Sequence, residues 1–324
     1  MKLNSSSNTP SCFRPVPGGP AGLPSRRFAL PPEQVPAAEN WVAHGERAPR
    51  AVRFASSVAL IRDGNRGVET YLGYRRGTSP LGVVAFPGGS EEGNDGDGDV
   101  PWFGPSVGDW AKRLGVLDHV AARRRVVCAA RELFEESGVL LAGADPLSIV
   151  EDCSTGEWME QRRAVAEQDL SFTEMLASRG LGLRTDLLRP LARWISPDFA
   201  LRRFDTWYFA AAMPVRQQAV LLDGKGTWAQ WMPARQVLDE RATTALGDRI
   251  GHPDTVGRTF SELTVPAVEA ILEKMATTRG TVAYLAHPRE AKTYHPQLRE
   301  ADGGFSLEVH VSEASEGGTC FRAR

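Results

Sequence analysis

The sequence predicts an α/β protein, and three observations carry that expectation. Phe54–Ile61 and Val68–Arg75 are runs rich in β-branched and aromatic residues, and Asp63-Gly64-Asn65 between them is turn chemistry, so they read as a hairpin. A long segment from about Asp118 to Ser137 repeats its apolar residues at helical spacing. Beyond it, stretches of strand character alternate again with helical ones.

The elements follow in order. Residues 1–50 are rich in Pro, Ser and Gly, as in Pro15-Val16-Pro17-Gly18-Gly19-Pro20, and are expected to form a flexible tail with a short helix near Glu39–Ala43. The folded part is expected over 51–275. Val83-Val84-Ala85-Phe86 is a short apolar run leading into the turn Pro87-Gly88-Gly89, where missing Cβ atoms let the backbone approach a ligand. Residues 90–99 are acidic and glycine-rich and read as a mobile loop. Their Asp95-Gly96-Asp97-Gly98-Asp99 lacks the later glutamate of a calcium loop. Val107–Leu114 reads as a short helix carrying Trp110. In the long helix Asp118 is the N-cap, and Val120, Val127, Ala130 and Phe134 should face the core. Arg123-Arg124-Arg125 reads either as a solvated basic face or as charge balance for the acidic residues that follow.

Residues 157–178 look helical and polar, an insertion placed to cover a substrate. Insertions are expected at about 90–117 and 151–190. Arg193–Pro197 resembles a strand ending at a loop, and Arg202-Arg203 precede Phe204–Met213, which enters an apolar run. Gly226–Pro233 reads as the last strand, with a helix beginning at Ala234. Thr264–Lys274 is a helix with Pro266 in its first turn. Residues 276–324 form a C-terminal extension, partly loose, whose His287, His295 and His310 are not spaced as ligands.

Bulk properties narrow the function. The 324 residues with 42% apolar content fill one large domain or two small ones, and a formal charge of −2 gives no electrostatic case for nucleic acid. Cys12, Cys128, Cys153 and Cys320 form no C-x-x-C pair, which points away from zinc and disulfides and toward a reducing, cytoplasmic setting. No apolar run approaches the ~20 residues of a membrane span. Arg26-Arg27 is not followed by the apolar stretch of a twin-arginine signal.

The informative stretch is Arg131-Glu132-Leu133-Phe134-Glu135-Glu136-Ser137-Gly138-Val139. Its glutamates are related by three and four residues, so all share one helical face. Like charges that close need a cation. Arg131 lies four residues from Glu135, and a hard divalent ion takes carboxylate oxygens. Gly138 suits the left-handed residue that ends a helix. Together with Phe86-Pro87-Gly88-Gly89 upstream, this stretch resembles the Nudix box, whose second half is met at Arg131, Glu132, Leu133, Glu135, Glu136, Gly138 and Val139. The first half departs from the pattern: forty-one residues separate Gly89 from Arg131 where thirteen are usual. The acidic position falls on Asp95 counting forward from Gly89 and on Arg123 counting back, which leaves Glu91, Glu92 and Asp95 as candidates. A long insertion here, and the stretch Arg202-Arg203-Phe204-Asp205-Thr206, resemble the peroxisomal coenzyme A diphosphatase branch.

The resemblance implies an α/β/α sandwich with a mixed sheet and hydrolysis of a nucleoside diphosphate joined to another group, with Mg²⁺ or Mn²⁺ as cofactor. It implies Glu132, Glu135 and Glu136 as metal ligands, with Arg131 orienting them by ion pairing. The residue chemistry adds Gly88, Gly89, Arg75, Arg202 and Arg203 as substrate contacts, because guanidinium forks suit phosphate oxygens. The expected partner is a small-molecule nucleotide, with neither nucleic acid nor membrane. Coenzyme A-cleaving relatives carry a glycine four residues before the box Phe, met by Gly82, and an arginine four before that, where Thr78 stands with Arg75 and Arg76 nearby. ADP-ribose and dinucleoside polyphosphates stay open as substrates. So does a non-catalytic nucleotide sensor, although such a module is expected to lose box glutamates.

Overall fold

The computed structural model describes residues 25–44, 48–76, 82–98, 100–222, 226–301 and 304–310. In chain order the first elements are β1 (Ser25–Ala29), α1 (Val35–Ala43), β2 (Val52–Gly64), β3 (Gly67–Tyr74), β4 (Val84–Ala85) and β5 (Gly88–Ser90). Next come β6 (Trp102–Phe103), α2 (Val107–Leu114), α3 (His119–Ser137), β7 (Ala142–Gly143), α4 (Gly156–Ala166) and α5 (Phe172–Ser178). Then follow β8 (Gly182–Arg184), β9 (Arg189–Ile195), β10 (Arg203–Ala212), β11 (Ala229–Pro233), α6 (Ala234–Asp239) and α7 (Ala245–Ile250). The last are α8 (Phe260–Leu263), α9 (Pro266–Ala276), α10 (Thr281–Ala286), β12 (Lys292–Tyr294), β13 (Gln297–Ala301) and β14 (Gly304–His310).

The central sheet runs β11-β3-β2-β10-β9-β12 and is mixed: β10 lies parallel to β2, and β2 and β3 form the expected antiparallel hairpin. Side chains alternate across it with the two-residue period of a strand. Val58 and Leu60 of β2 and Trp207 and Phe209 of β10 join the core beneath α3. Ala59 and Ile61 of β2 and Tyr208 and Ala210 of β10 join the opposite core, which α6, α8 and α9 cover. Helices on both faces of a mixed sheet are the expected sandwich.

The long strand β2 explains where a site can form. Its C-terminal end pairs with β3 over Ile61–Gly64, while its earlier part pairs with β5, Ser57 against Gly88 and Ser56 against Gly89. The same edge thus serves two partners that diverge, and the glycines sit at the divergence. They lie in a short strand rather than in the turn expected of them. A Cβ on Gly88 would come within 2.6 Å of the Ser56 carbonyl, so only glycine lets β5 dock this closely.

Several expectations change. Residues 25–43, read as part of the tail, carry β1 and α1, and the helix is longer than the short one expected; the tail expectation for 1–24 lies outside the described residues. β1 gains its order from a distant partner, pairing antiparallel with β14, so the C-terminal extension closes onto the N-terminal segment. β11 is therefore not the last strand, and the loose end expected past 310 lies outside the described residues. Residues 90–98 are not a free loop: Gly93–Gly96 is a 3₁₀ turn with a capping box between Glu92 and Asp95. Val120 is 51% exposed, because the first turn of α3 projects past the packed surface, whereas Val127, Ala130 and Phe134 are buried as expected. Cys128 and Cys153 are free thiols. Among the described residues no helix is long and apolar enough to cross a membrane.

Candidate functional site

Helix α3 is built to present its last two turns. Asp118 caps its start, accepting the Val120 N–H at 2.8 Å, and Gly138 ends it at φ +75° in the left-handed region. Its inner face carries Val126, Val127, Ala130, Leu133 and Phe134 into the core under the sheet. Glu132 and Glu136 meet β5 at Gly89 and Gly88.

Arg131 organises Glu132 and Glu135. Its side chain is only 2% exposed, and its Nη1 lies 2.9 Å from Glu132 Oε1 and 2.9 Å from Glu135 Oε1. On its other edge, Nε and Nη2 form a fork on Asp95, at 2.8 and 3.0 Å, and Nη2 also donates to the Ser90 carbonyl at 2.8 Å. Two charge-assisted bonds to one carboxylate are the strong geometry for arginine. Asp95 is itself 1% exposed and accepts the Glu92 N–H at 2.8 Å. Of the three candidates for the first acidic position, Asp95 holds Arg131 through a two-bond fork, while Glu92 lies 3.3 Å from its Nη1.

Glu136 faces the other way. Its side chain is 31% exposed, against 11% for Glu132 and 9% for Glu135. Glu136 Oε2 accepts the Gly88 N–H at 3.0 Å and pairs with Arg75 Nη2 at 2.6 Å. Arg75 also donates to the Phe86 carbonyl at 3.1 Å. A Cβ on Gly89 would sit 2.3 Å from Glu132 Oε1, so the bare backbone there lies directly over that carboxylate. Both glycines and Arg75 thus join the glutamates.

Electrostatics follow from burial. Burial raises the Glu132 pKa to about 8; Arg131 opposes the shift, and the charges of Glu136 and Glu135 add to it. Burial likewise raises Asp95, against the bonds from Arg131. Glu91 is lifted to about 7 by burial, partly offset by Arg125 at 3.7 Å. The proton of Arg131 is held more tightly than usual, because its bonds to Asp95 and the charge of Glu132 outweigh desolvation.

Within the arginine triplet Arg123 touches the acidic segment and Arg125 packs on β2. Arg125, buried, lies 4.4 Å over the Phe54 ring, and Arg123 donates to the Gly98 carbonyl at 2.7 Å and sits over Trp102. The pair Arg202 and Arg203 does not join the glutamates. Arg203 pairs in register with Val52, four residues along β2 from the Ser56 that opposes Gly89. At ~3.3 Å per residue and ~4.8 Å per strand spacing that is roughly 16 Å away. Its guanidinium is used by Asp198 and the carbonyls of Arg50 and Ser196. Arg202 is exposed on the rim of a cavity of about 310 Å³ on the opposite core's side, beside Trp194, Thr206 and Tyr208.

The donor set fits a divalent cation in type and charge. Six carboxylates (Glu91, Glu92, Asp95, Glu132, Glu135, Glu136) gather around three guanidiniums (Arg75, Arg125, Arg131). Burial answers this crowding by raising Glu91, Asp95 and Glu132, and a cation bound there would favour their ionised forms. Among the described residues no three His, Cys, Asp or Glu side chains already converge as a metal cage. In this arrangement Arg131 takes one oxygen of Glu132 and of Glu135, and Arg75 one oxygen of Glu136.

One contributor had no signal in the sequence. Arg162 of α4 donates to the Glu135 carbonyl from Nε at 3.0 Å and from Nη2 at 2.9 Å. Only its burial, a tertiary property, marks it out.

The sequence matches no protein-family model and no curated protein. Among solved structures it is similar to a NUDIX hydrolase from Alicyclobacillus acidocaldarius, at 23% identity and a TM-score of 0.55, over 74% of this chain and 98% of that one. Two further similarities are to the NUDIX domain of Shewanella oneidensis NrtR complexed with ADP ribose (13% identity, 62% and 86% covered, TM-score 0.29) and to a MutT/nudix family protein from Enterococcus faecalis (13%, 63% and 56%, 0.29). The first of these likenesses carries the fold: the chain has the Nudix architecture.

Proposed function

We propose that this chain is a divalent-metal-dependent Nudix pyrophosphohydrolase that cleaves a nucleoside diphosphate joined to a second moiety, with coenzyme A or an acyl-coenzyme A as substrate. The observation that carries the reading is the packing of Glu132 and Glu136 against the bare backbone of Gly89 and Gly88 at the end of α3. Glu132, Glu135 and Glu136 would hold Mg²⁺ or Mn²⁺. When bound, the ion supplies charge neutralisation at the diphosphate and lowers the pKa of an attacking water. The chain's own part is positioning: Arg131 and Asp95 fix the carboxylates, and Arg75, beside Glu136, reaches the edge where phosphate oxygens would lie.

Coenzyme A is favoured over ADP-ribose or a dinucleoside polyphosphate by the insertion within the box and by the Arg202–Thr206 stretch. A non-catalytic nucleotide sensor is the reading of another class; retention of all three glutamates, Glu132 and Glu135 buried on Arg131 and Glu136 beside Arg75, speaks against it. An Mg²⁺-dependent screen of coenzyme A, acyl-coenzyme A, ADP-ribose and dinucleoside polyphosphates, with products identified by mass, tests the substrate. Glu136→Gln should abolish turnover with the fold intact. Near-normal activity in that variant, or binding without cleavage across the panel, overturns the assignment.

A further inference from the structure

The inserted helix α4 reaches into the catalytic helix from below. Arg162, on its buried face, is 1% exposed. Besides its two bonds to the Glu135 carbonyl, its Nη2 donates to the Val220 carbonyl at 2.9 Å, and Val220 donates its own N–H to the Ser137 carbonyl at 2.8 Å. The next residue, Gly138, leaves no room above the guanidinium: a Cβ there would be 2.9 Å from Nη1. The final turn of α3 is thus gripped on two sides, by α4 and by the segment around Val220. Phe134 against Trp158, edge to face at 6.3 Å, locks the two helices together.

The grip falls on the turn that matters. The last carbonyls of a helix lack partners within it, and a cation there opposes the negative end of the helix dipole. The planar fork of arginine fixes a direction that a lysine's point charge does not. It fastens the backbone of Glu135 itself, one residue before Glu136. Nη1 has no hydrogen-bond partner, a cost that an apolar packing residue in its place would not carry.

We propose that Arg162 is a positioning residue: it sets the terminal turn of α3 so that Glu135 and Glu136 present their carboxylates to the divalent cation. The inserted helix is then part of the site's support rather than a cover over substrate. The proposal rests on the metal-dependent reading above.

The test measures Mn²⁺ affinity of the full chain by electron paramagnetic resonance, alongside kcat and KM for whichever nucleotide the screen identifies. R162M should bind Mn²⁺ about 10–100-fold more weakly, as loss of an outer support typically does, and kcat should fall in proportion with KM little changed. R162K should recover only part of the affinity. R179Q is the control: Arg179 pairs with Glu157 of α4 at 2.6 Å and stacks on Trp158, so it supports the same helix without touching Glu135, and its Mn²⁺ affinity should be that of the unaltered protein. A folded R162M with unaltered Mn²⁺ affinity overturns the proposal. If R162M does not fold, R162K decides, and unaltered affinity there overturns it equally. So does an unaltered protein that binds no Mn²⁺. Loss of Mn²⁺ in R162M with no nucleotide cleaved by the unaltered protein would instead sink the hydrolase reading and leave Arg162 in its role.

Discussion

Removing Asp95 should unsettle the protein more than removing any exposed acid near it. Asp95→Ala takes away both carboxylate oxygens that Arg131 Nε and Nη2 hold at 2.8 and 3.0 Å, and with them the acceptor for the Glu92 N–H. Arg131 cannot escape to solvent, since its side chain is 2% exposed, and on that edge its bond to the Ser90 carbonyl and a weak one to Cys128 Sγ remain. Breaking a buried pair by deleting one partner costs about 3–5 kcal/mol. Asp95→Asn keeps the shape and one acceptor but loses the charge, so the cost should fall to about 1.5–3 kcal/mol. Equilibrium urea unfolding followed by tryptophan fluorescence reads both values as midpoint shifts at constant slope. An Asp95→Ala variant within 1 kcal/mol of the unaltered protein would refute the claim that the Asp95–Arg131 fork carries much of the local stability. Equal costs for Ala and Asn would refute the part assigned to charge.

Three further outcomes are expected. Gly89→Ala places a Cβ 2.3 Å from Glu132 Oε1 and must displace that carboxylate, so kcat should drop about 100-fold while far-UV circular dichroism is unchanged. Without metal, the protein should lose stability as pH rises. Glu132 has a folded pKa of about 8, above the ordinary carboxylate value, so its contribution is complete below about pH 4.5 and is lost as pH climbs through 8. Thermal midpoints between pH 5 and 8.5 check this; Glu132→Gln should flatten the trend, and a midpoint rising over that range contradicts it. For the same reason Mn²⁺ binding near pH 7 should release protons, measurable as a buffer-dependent heat in calorimetry.

How far the sequence reached depended on the range of the forces involved. The α3 helix and the β2–β3 hairpin were legible because caps, turn residues and side-chain periodicity act within a few positions. The glutamates were legible for the same reason, being neighbours on one turn. Asp95 was visible as a candidate but not as a partner of Arg131. An insertion of unknown placement leaves two ways of counting, and the fork of Arg131 on buried Asp95 is a tertiary contact that neither count shows. Arg202 and Arg203 looked like phosphate ligands because side-chain type was all the sequence offered. The structure spends Arg203 on Asp198 and sets both apart from the glutamates. β1 was missed because its order comes from residues near 307, far along the chain, and its Pro- and Gly-rich surroundings read as tail.

That last pairing constrains how the protein is made. Ser25–Ala29 leaves the ribosome well before Gly304–His310, yet among the described strands its hydrogen-bonding edge pairs only with that one. The β2–β3 hairpin and the α3 layer above it can assemble during synthesis, since their contacts close over far shorter loops. The β1–β14 seam cannot. Ribosome-held chains ending before residue 304 should therefore be cut by protease between Ser25 and Ala29, and chains displaying residue 310 should not.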